Sequence, residues 1–140
     1  MDQKIREAIF RSVIEEPYAR TLGLELQELE AGFSAVEMQY HPERMNNLFG
    51  RAHGGAIFSL IDEAFETVCQ TSGEVTVALS VNVNFVASPE SGARLRAEAR
   101  EISATRKTAN YEIRVTDQEG RLMAVCQALA YRTGKPLPFL

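Results

Sequence analysis

A single helical rhythm sits inside a chain otherwise patterned in twos, and it limits what the chain can become. From Ile57, apolar residues recur at Leu60, Ile61, Ala64, Phe65 and Val68. That i, i+3, i+4, i+7, i+8 spacing predicts a helix with one buried stripe, within the stretch Asn47–Gln70. Elsewhere alternation dominates. Leu22–Glu30 carries Leu22, Leu24 and Leu26 in alternate positions with Leu29 out of phase, and after Ala31-Gly32 the run Phe33–Tyr40 carries Val36, Met38 and Tyr40. Beyond Ser72-Gly73, Val75–Val86 is the longest β-branched run. Ala93–Ile102, Thr108–Thr116 and Arg121–Arg132 read as three more strands, the last two joined by the turn Asp117-Gln118-Glu119-Gly120. One long helix among five or six strands, mostly hairpin-connected, predicts an α+β domain.

Two flanking segments complete the outline. Residues 2–14 place Ile5, Ala8, Ile9 and Val13 on one face with Asp2 as N-cap, a short helix that Pro17 closes. The Gly134-Lys-Pro-Leu-Pro end reads as a surface tail. Alternation within Val75–Val86 puts Val77, Leu79, Val81, Val83 and Phe85 on one face, and Ala78, Ser80, Asn82 and Asn84 on the other.

Composition removes several function classes. With 140 residues, 45% of them hydrophobic, one real core is affordable without metal or disulfide support. A net charge of −4 and a pI near 5.3 argue against a broad nucleic-acid surface. No apolar run reaches the eighteen or so residues a membrane helix needs, and the N-terminus lacks a cleavable apolar leader. Cys69 and Cys126 lie in apolar-periodic segments and read as buried thiols. His41 and His53 are too few for a zinc site. The expectation is a cytoplasmic protein with no metal, cofactor, membrane or nucleic-acid partner.

The chemistry-bearing residues gather around the central helix. Gly54-Gly55 directly precedes the apolar rhythm, so their amides fall in the first turn, where N–H groups lack intrahelical acceptors. Glycine lets a substrate come close to the backbone, and the helix dipole favours negative charge there. That suits an oxyanion hole. A phosphate site is one competitor, but the Gly-x-x-x-x-Gly-Lys-Ser/Thr pattern is missing, and a glycine pair that only eases a tight loop-to-helix corner is the other. Further along, Glu63 points away from the apolar stripe, as a solvated carboxylate would. Asp62 lies at the stripe's edge, one turn from Phe58 and Phe65, where desolvation or a partner alters its reactivity.

Asn47, Gly50, His53-Gly54-Gly55 and Asp62, nine after the histidine, resemble the Asn-x-x-Gly-x-x-His-Gly-Gly-x(7)-Asp signature of hotdog-fold acyl-CoA thioesterases, closest to the PaaI-like, phenylacetate-degradation branch. The similarity runs from about Leu22 to Leu137. It implies one hotdog domain over 1–140, with residues 1–16 as an N-terminal helix, 22–137 as the core, and an antiparallel sheet wrapped around the central helix. It also implies that the Gly54 amide binds the thioester carbonyl and that Asp62 is nucleophile or general base. Ser80, eighteen after Asp62, matches members that place a hydroxyl on the next strand. Asn47 either binds substrate or braces its loop, and His53 orients the loop or, less favoured, acts as a base.

Gly54 and Asp62 are eight residues apart, roughly 12 Å along a helix axis. Both groups must come within about 3 Å of one reacting centre. One helix cannot do this. Two helices related by a two-fold axis can, so the expectation is a homodimer with shared sites, or a dimer of dimers. Leu48, Phe49 and Phe58 flank the motif and suit an aryl or medium-chain acyl group, Gly55 within the motif is a further substrate-binding candidate, and Arg106 and Lys107, at a strand turn, are the candidate partners for coenzyme A phosphates. A non-catalytic acyl-CoA-binding hotdog protein is the alternative, weakened by the acid at position 62. A hotdog hydratase would need an Asp/His constellation that this chain lacks.

Overall fold

The computed structural model describes residues 1–140. Four helices, α1 (Gln3–Glu15), α2 (Pro17–Leu22), α3 (Pro42–Met45) and α4 (Gly54–Gln70), accompany six strands. These are β1 (Glu25–Glu30), β2 (Phe33–Gln39), β3 (Glu74–Phe85), β4 (Arg94–Ala104), β5 (Thr108–Thr116) and β6 (Leu122–Pro136). They form one antiparallel sheet in the order β1-β2-β4-β5-β6-β3. The sheet curls around α4, which touches all six strands. This is the hotdog architecture.

The apolar stripe of α4 does what its spacing predicts. Ile57, Leu60, Ile61, Ala64, Phe65 and Val68 are all buried, each large one contributing roughly 1.5–3 kcal/mol through area removed from water. Phe65 meets the Tyr111 ring edge-on at 5.4 Å between centroids. The burial extends past the stripe: the Thr67 hydroxyl pairs with Ser34 at 2.7 Å in the core. Glu63 departs from expectation. It is 3% exposed, enclosed beneath α1 rather than solvated, because the N-terminal segment covers the side of α4 that the sheet leaves open.

Other differences have local causes. Leu29 is out of phase because β1 carries a bulge between Leu26 and Glu28, which returns Leu29 to the core. A second bulge lies in β3 between Ala78 and Ser80. Before it Ala78 opposes buried Ala130, whereas after it Val81, Val83 and Phe85 oppose buried Ala128, Cys126 and Ala124. The strict alternation expected for Val77 through Phe85 therefore switches faces midway. Pro17 ends nothing by itself: α1 stops at Glu15, and Pro17 opens α2, where its missing N–H is no loss. The expected C-terminal tail is structured, with β6 running to Pro136 and Leu137 buried. Asp2 caps α1 as expected, its carboxylate accepting the Lys4 amide at 2.7 Å.

Candidate active site

The loop before α4 is rigid for reasons visible residue by residue. The Asn47 carboxamide oxygen accepts the Phe49 amide at 2.9 Å and the Arg51 amide at 3.2 Å, and the Asn47 amide donates to the Arg51 carbonyl at 2.7 Å. Asn47 thus braces its own turn, as short polar side chains do. Leu48 and Phe49 stand at the tip, 97% and 82% exposed. The His53 amide donates to the Met45 carbonyl at 2.7 Å, tying the loop's far end to α3.

His53 is the N-cap of α4. Its Nδ1 accepts the Gly55 amide at 2.8 Å, which satisfies one of the orphan donors of the first turn. The next amides, of Ala56 and Ile57, go to the His53 carbonyl. The Gly54 amide has no acceptor within the chain. It is partly accessible, and the ring of Phe85, at the end of β3, packs so near that a Cβ on Gly54 would sit 3.3 Å from it. A donor free of backbone partners, at the positive end of a 17-residue helix, is suited to an oxygen that gains negative charge.

Most of α4 is buried, yet one stripe is not. Gly55, Phe58, Asp62 and Glu66, spaced three or four residues apart, are its exposed residues. Asp62 has neither a cation nor a hydrogen-bond donor beside it, and partial burial alone raises its carboxyl above the ordinary range. It borders a depression of about 240 Å³ shared with Phe65, Cys69, Thr76, Val77 and Ala78. Glu66, one turn on, is also raised, by burial first and then by repulsion from Glu16 and Asp62.

The structure brings Asn47, His53, Gly54, Gly55, Leu48 and Phe49 together at the helix start, with Phe58 between them and Asp62. It does not bring Ser80 to Asp62. Because of the β3 bulge, Ser80 opposes Leu129 on the outer face of the sheet and lines a different depression, with Asn82, Ser103, Asn110 and Gln127. The β3 residues that line the Asp62 depression are Thr76, Val77 and Ala78, and the one hydroxyl among them, on Thr76, donates to the Glu74 carbonyl at 3.2 Å. Sequence reasoning missed both Ala78 and Phe85 because alternation carries no sign of a bulge.

Arg106 and Lys107 occupy the exposed β4–β5 turn. The Lys107 ammonium lies 5.4 Å above the Tyr131 ring and 3.3 Å from its hydroxyl. Tyr131 pairs with Val77, so this turn is at the Asp62 end of β3, while Phe85 and Gly54 mark the other end. Eight strand residues separate the two, roughly 26 Å at the usual rise. β3 is itself an edge strand with Val77, Leu79 and Phe85 exposed along it.

An antiparallel sheet closed over one long helix, with a capped glycine pair at the helix start and an acid midway, defines a hotdog enzyme. The chain matches the thioesterase superfamily over residues 49–124 and belongs to that family. It is similar to the acyl-coenzyme A thioesterase PaaI of Escherichia coli, 28% identical over 116 residues that cover 83% of this chain and 82% of the relative. A putative esterase of Archaeoglobus fulgidus is 28% identical over 138 residues, 99% of this chain and 87% of that protein. The structure of the E. coli PaaI protein from the phenylacetic acid degradation operon superposes with a TM-score of 0.89 at 26% identity, covering 95% and 96% of the two chains. The chain is therefore a PaaI-like thioester hydrolase. No helix is long and apolar enough to cross a membrane.

Proposed function

We propose that this protein hydrolyses an aryl- or medium-chain acyl-CoA to the free acid and CoA, at sites shared between two copies of the chain. The observation that carries the reading is the pairing of a free amide, at Gly54, with an unpartnered carboxylate, at Asp62, on the one accessible side of a buried helix. The two groups are too far apart to serve one carbonyl within a single chain. The open edge of β3 and its exposed apolar residues supply the surface on which a second copy would pair. A two-fold axis there reverses the partner, so the Gly54 end of one chain faces the Asp62 end of the other.

In that arrangement the thioester oxygen accepts from the Gly54 amide of one protomer while Asp62 of its twin works on the carbonyl carbon. Asp62 either attacks directly, breaking the C–S bond to leave an anhydride that water then opens, or takes a proton from a water that attacks. In both routes the departing thiolate acquires a proton and leaves as CoA. Partial burial of Asp62 strips water from the carboxylate, which suits either role. Leu48, Phe49, Phe58 and Gly55 line the approach to the helix start and form the acyl pocket. Arg106 and Lys107, at the Asp62 end, take the CoA phosphates.

Following free-thiol release over a panel of aryl, short and medium-chain acyl-CoAs tests the reading. Turnover with a preference within that panel is the expected result. Saturable acyl-CoA binding with no thiol released would instead favour a binding protein on the same scaffold.

A further inference from the structure

A second cavity, of about 250 Å³, lies between α1, α4 and the C-terminal residues Leu137–Phe139. Glu16, from the junction of α1 and α2, enters it alongside Glu63 and Glu66 of α4. One carboxylate oxygen from each lies within 4.8 Å of the others. The charged neighbours felt by these three groups are all acidic, so no lysine, arginine or histidine offsets them. Glu63 is the deepest, 3% exposed, and its Oε1 is fully enclosed without a hydrogen-bond partner. A buried, unmatched carboxylate oxygen beside two more carboxylates calls for a positive species between them.

We propose that Glu16, Glu63 and Glu66 together bind a hard divalent cation of the Mg²⁺, Mn²⁺ or Ca²⁺ class. The donor set is entirely oxygen, and neither cysteine nor histidine lines the cavity, which disfavours softer metals. Glu66 is exposed, so the ion has a way in, and waters complete its coordination from that side. The Gln70 carboxamide is committed to the Thr76 backbone and contributes nothing. The ion's effect is mechanical. It joins Glu16, on the N-terminal segment, to α4 and so fastens that segment over the helix. Asp62 is not among the three donors, although Glu66 also lines the depression that Asp62 borders, so metal binding is read without substrate and its failure is distinguishable from a failure of the hydrolase reading.

The test uses the whole protein, stripped by a chelator and titrated with Mn²⁺ alone, followed by electron paramagnetic resonance and by thermal melting. One saturable site per chain is expected, with displacement by Mg²⁺ or Ca²⁺ and a higher melting temperature when loaded. Glu63→Gln and Glu16→Gln should each weaken Mn²⁺ binding about tenfold or more. Glu16 is only half-buried, so its variant keeps the test valid if Glu63→Gln folds poorly. Absence of saturable binding at millimolar Mn²⁺, or equal affinity in wild type and the folded variants, overturns the proposal and leaves three carboxyls sharing protons.

Discussion

The Gly55 amide donates to His53 Nδ1 at 2.8 Å, and this bond determines which amide of the helix start is left for a ligand. With Gly55 committed and Ala56 and Ile57 bonded to the His53 carbonyl, the Gly54 N–H stands alone. Capping and catalysis would thus divide the first turn of α4 between them. An N-cap aspartate or serine would tie down the same amides but would place a hydroxyl or a charge where imidazole now stands.

Gly54 occupies the first helical position, where proline is tolerated, and His53 already has the extended backbone that precedes a proline. Gly54→Pro therefore deletes the amide proton without deleting a helix bond. Gly54→Ala adds the same Cβ against the Phe85 ring while keeping the donor. We expect the proline variant to turn over on the order of 10²-fold more slowly than the alanine variant, the usual weight of one oxyanion donor. Equal rates for the two folded variants would remove this amide from the mechanism.

Asp62→Asn keeps the side chain's size and removes its charge and basicity. Thiol release should fall to background while calorimetry still detects acyl-CoA binding, since the carboxylate is assigned to chemistry rather than to affinity. Hydrolysis close to the wild-type rate in this variant would falsify the assignment.

Combining the two defects tests whether the sites are shared. In a mixed dimer of Gly54→Pro and Asp62→Asn chains, one site carries both lesions and the other carries none. Random mixing of the two inactive proteins should recover about a quarter of wild-type activity, from half the dimers with one intact site each. No recovery in demonstrably mixed dimers would mean that each chain works alone.

What the sequence made legible was whatever repeats at a fixed period. The stripe from Ile57 to Val68 is buried as its spacing requires, and the Asp117–Gly120 turn folds around the Asp117 carboxylate, which accepts the Glu119 and Arg121 amides at 2.9 Å each. Bulges were invisible, because one inserted residue leaves composition and propensity unchanged while reversing every side chain beyond it. Leu29 alone hinted at one, by falling out of phase. Glu63 was unreadable for another reason: on its own helix it faces away from the stripe, and only the docking of α1, a contact between distant segments, encloses it. The His-Gly-Gly and Asp positions were legible through family resemblance. That the Gly54 amide is the uncommitted one became visible only with the loop's hydrogen bonds.

Ser80 separates resemblance from geometry. It lies on the outer face with Leu129, across the sheet from Asp62. Ser80→Ala should retain turnover within about threefold of wild type, the range of an exposed substitution worth about 0.5 kcal/mol. A loss as large as that of Asp62→Asn would show that β3 shifts in the working enzyme.

Glu63 gives the chain a pH-dependent weakness. Burial, helped by Glu16, Glu66 and Asp62, pushes its carboxyl up to about 8 from an ordinary value near 4.5. Between those values the folded chain keeps a proton that the unfolded chain has released. Stability contributed by Glu63 is therefore lost as pH rises from about 4.5 to about 8, and does not return above it. Glu63→Gln cannot ionise, so in the presence of chelator its stability should decline less over that window. By pH 9 the accumulated difference in stability lost should amount to on the order of 3–5 kcal/mol in its favour, read by urea denaturation at several pH values. Parallel stability curves for the two proteins would mean that Glu63 titrates normally and that water reaches its carboxylate beneath α1.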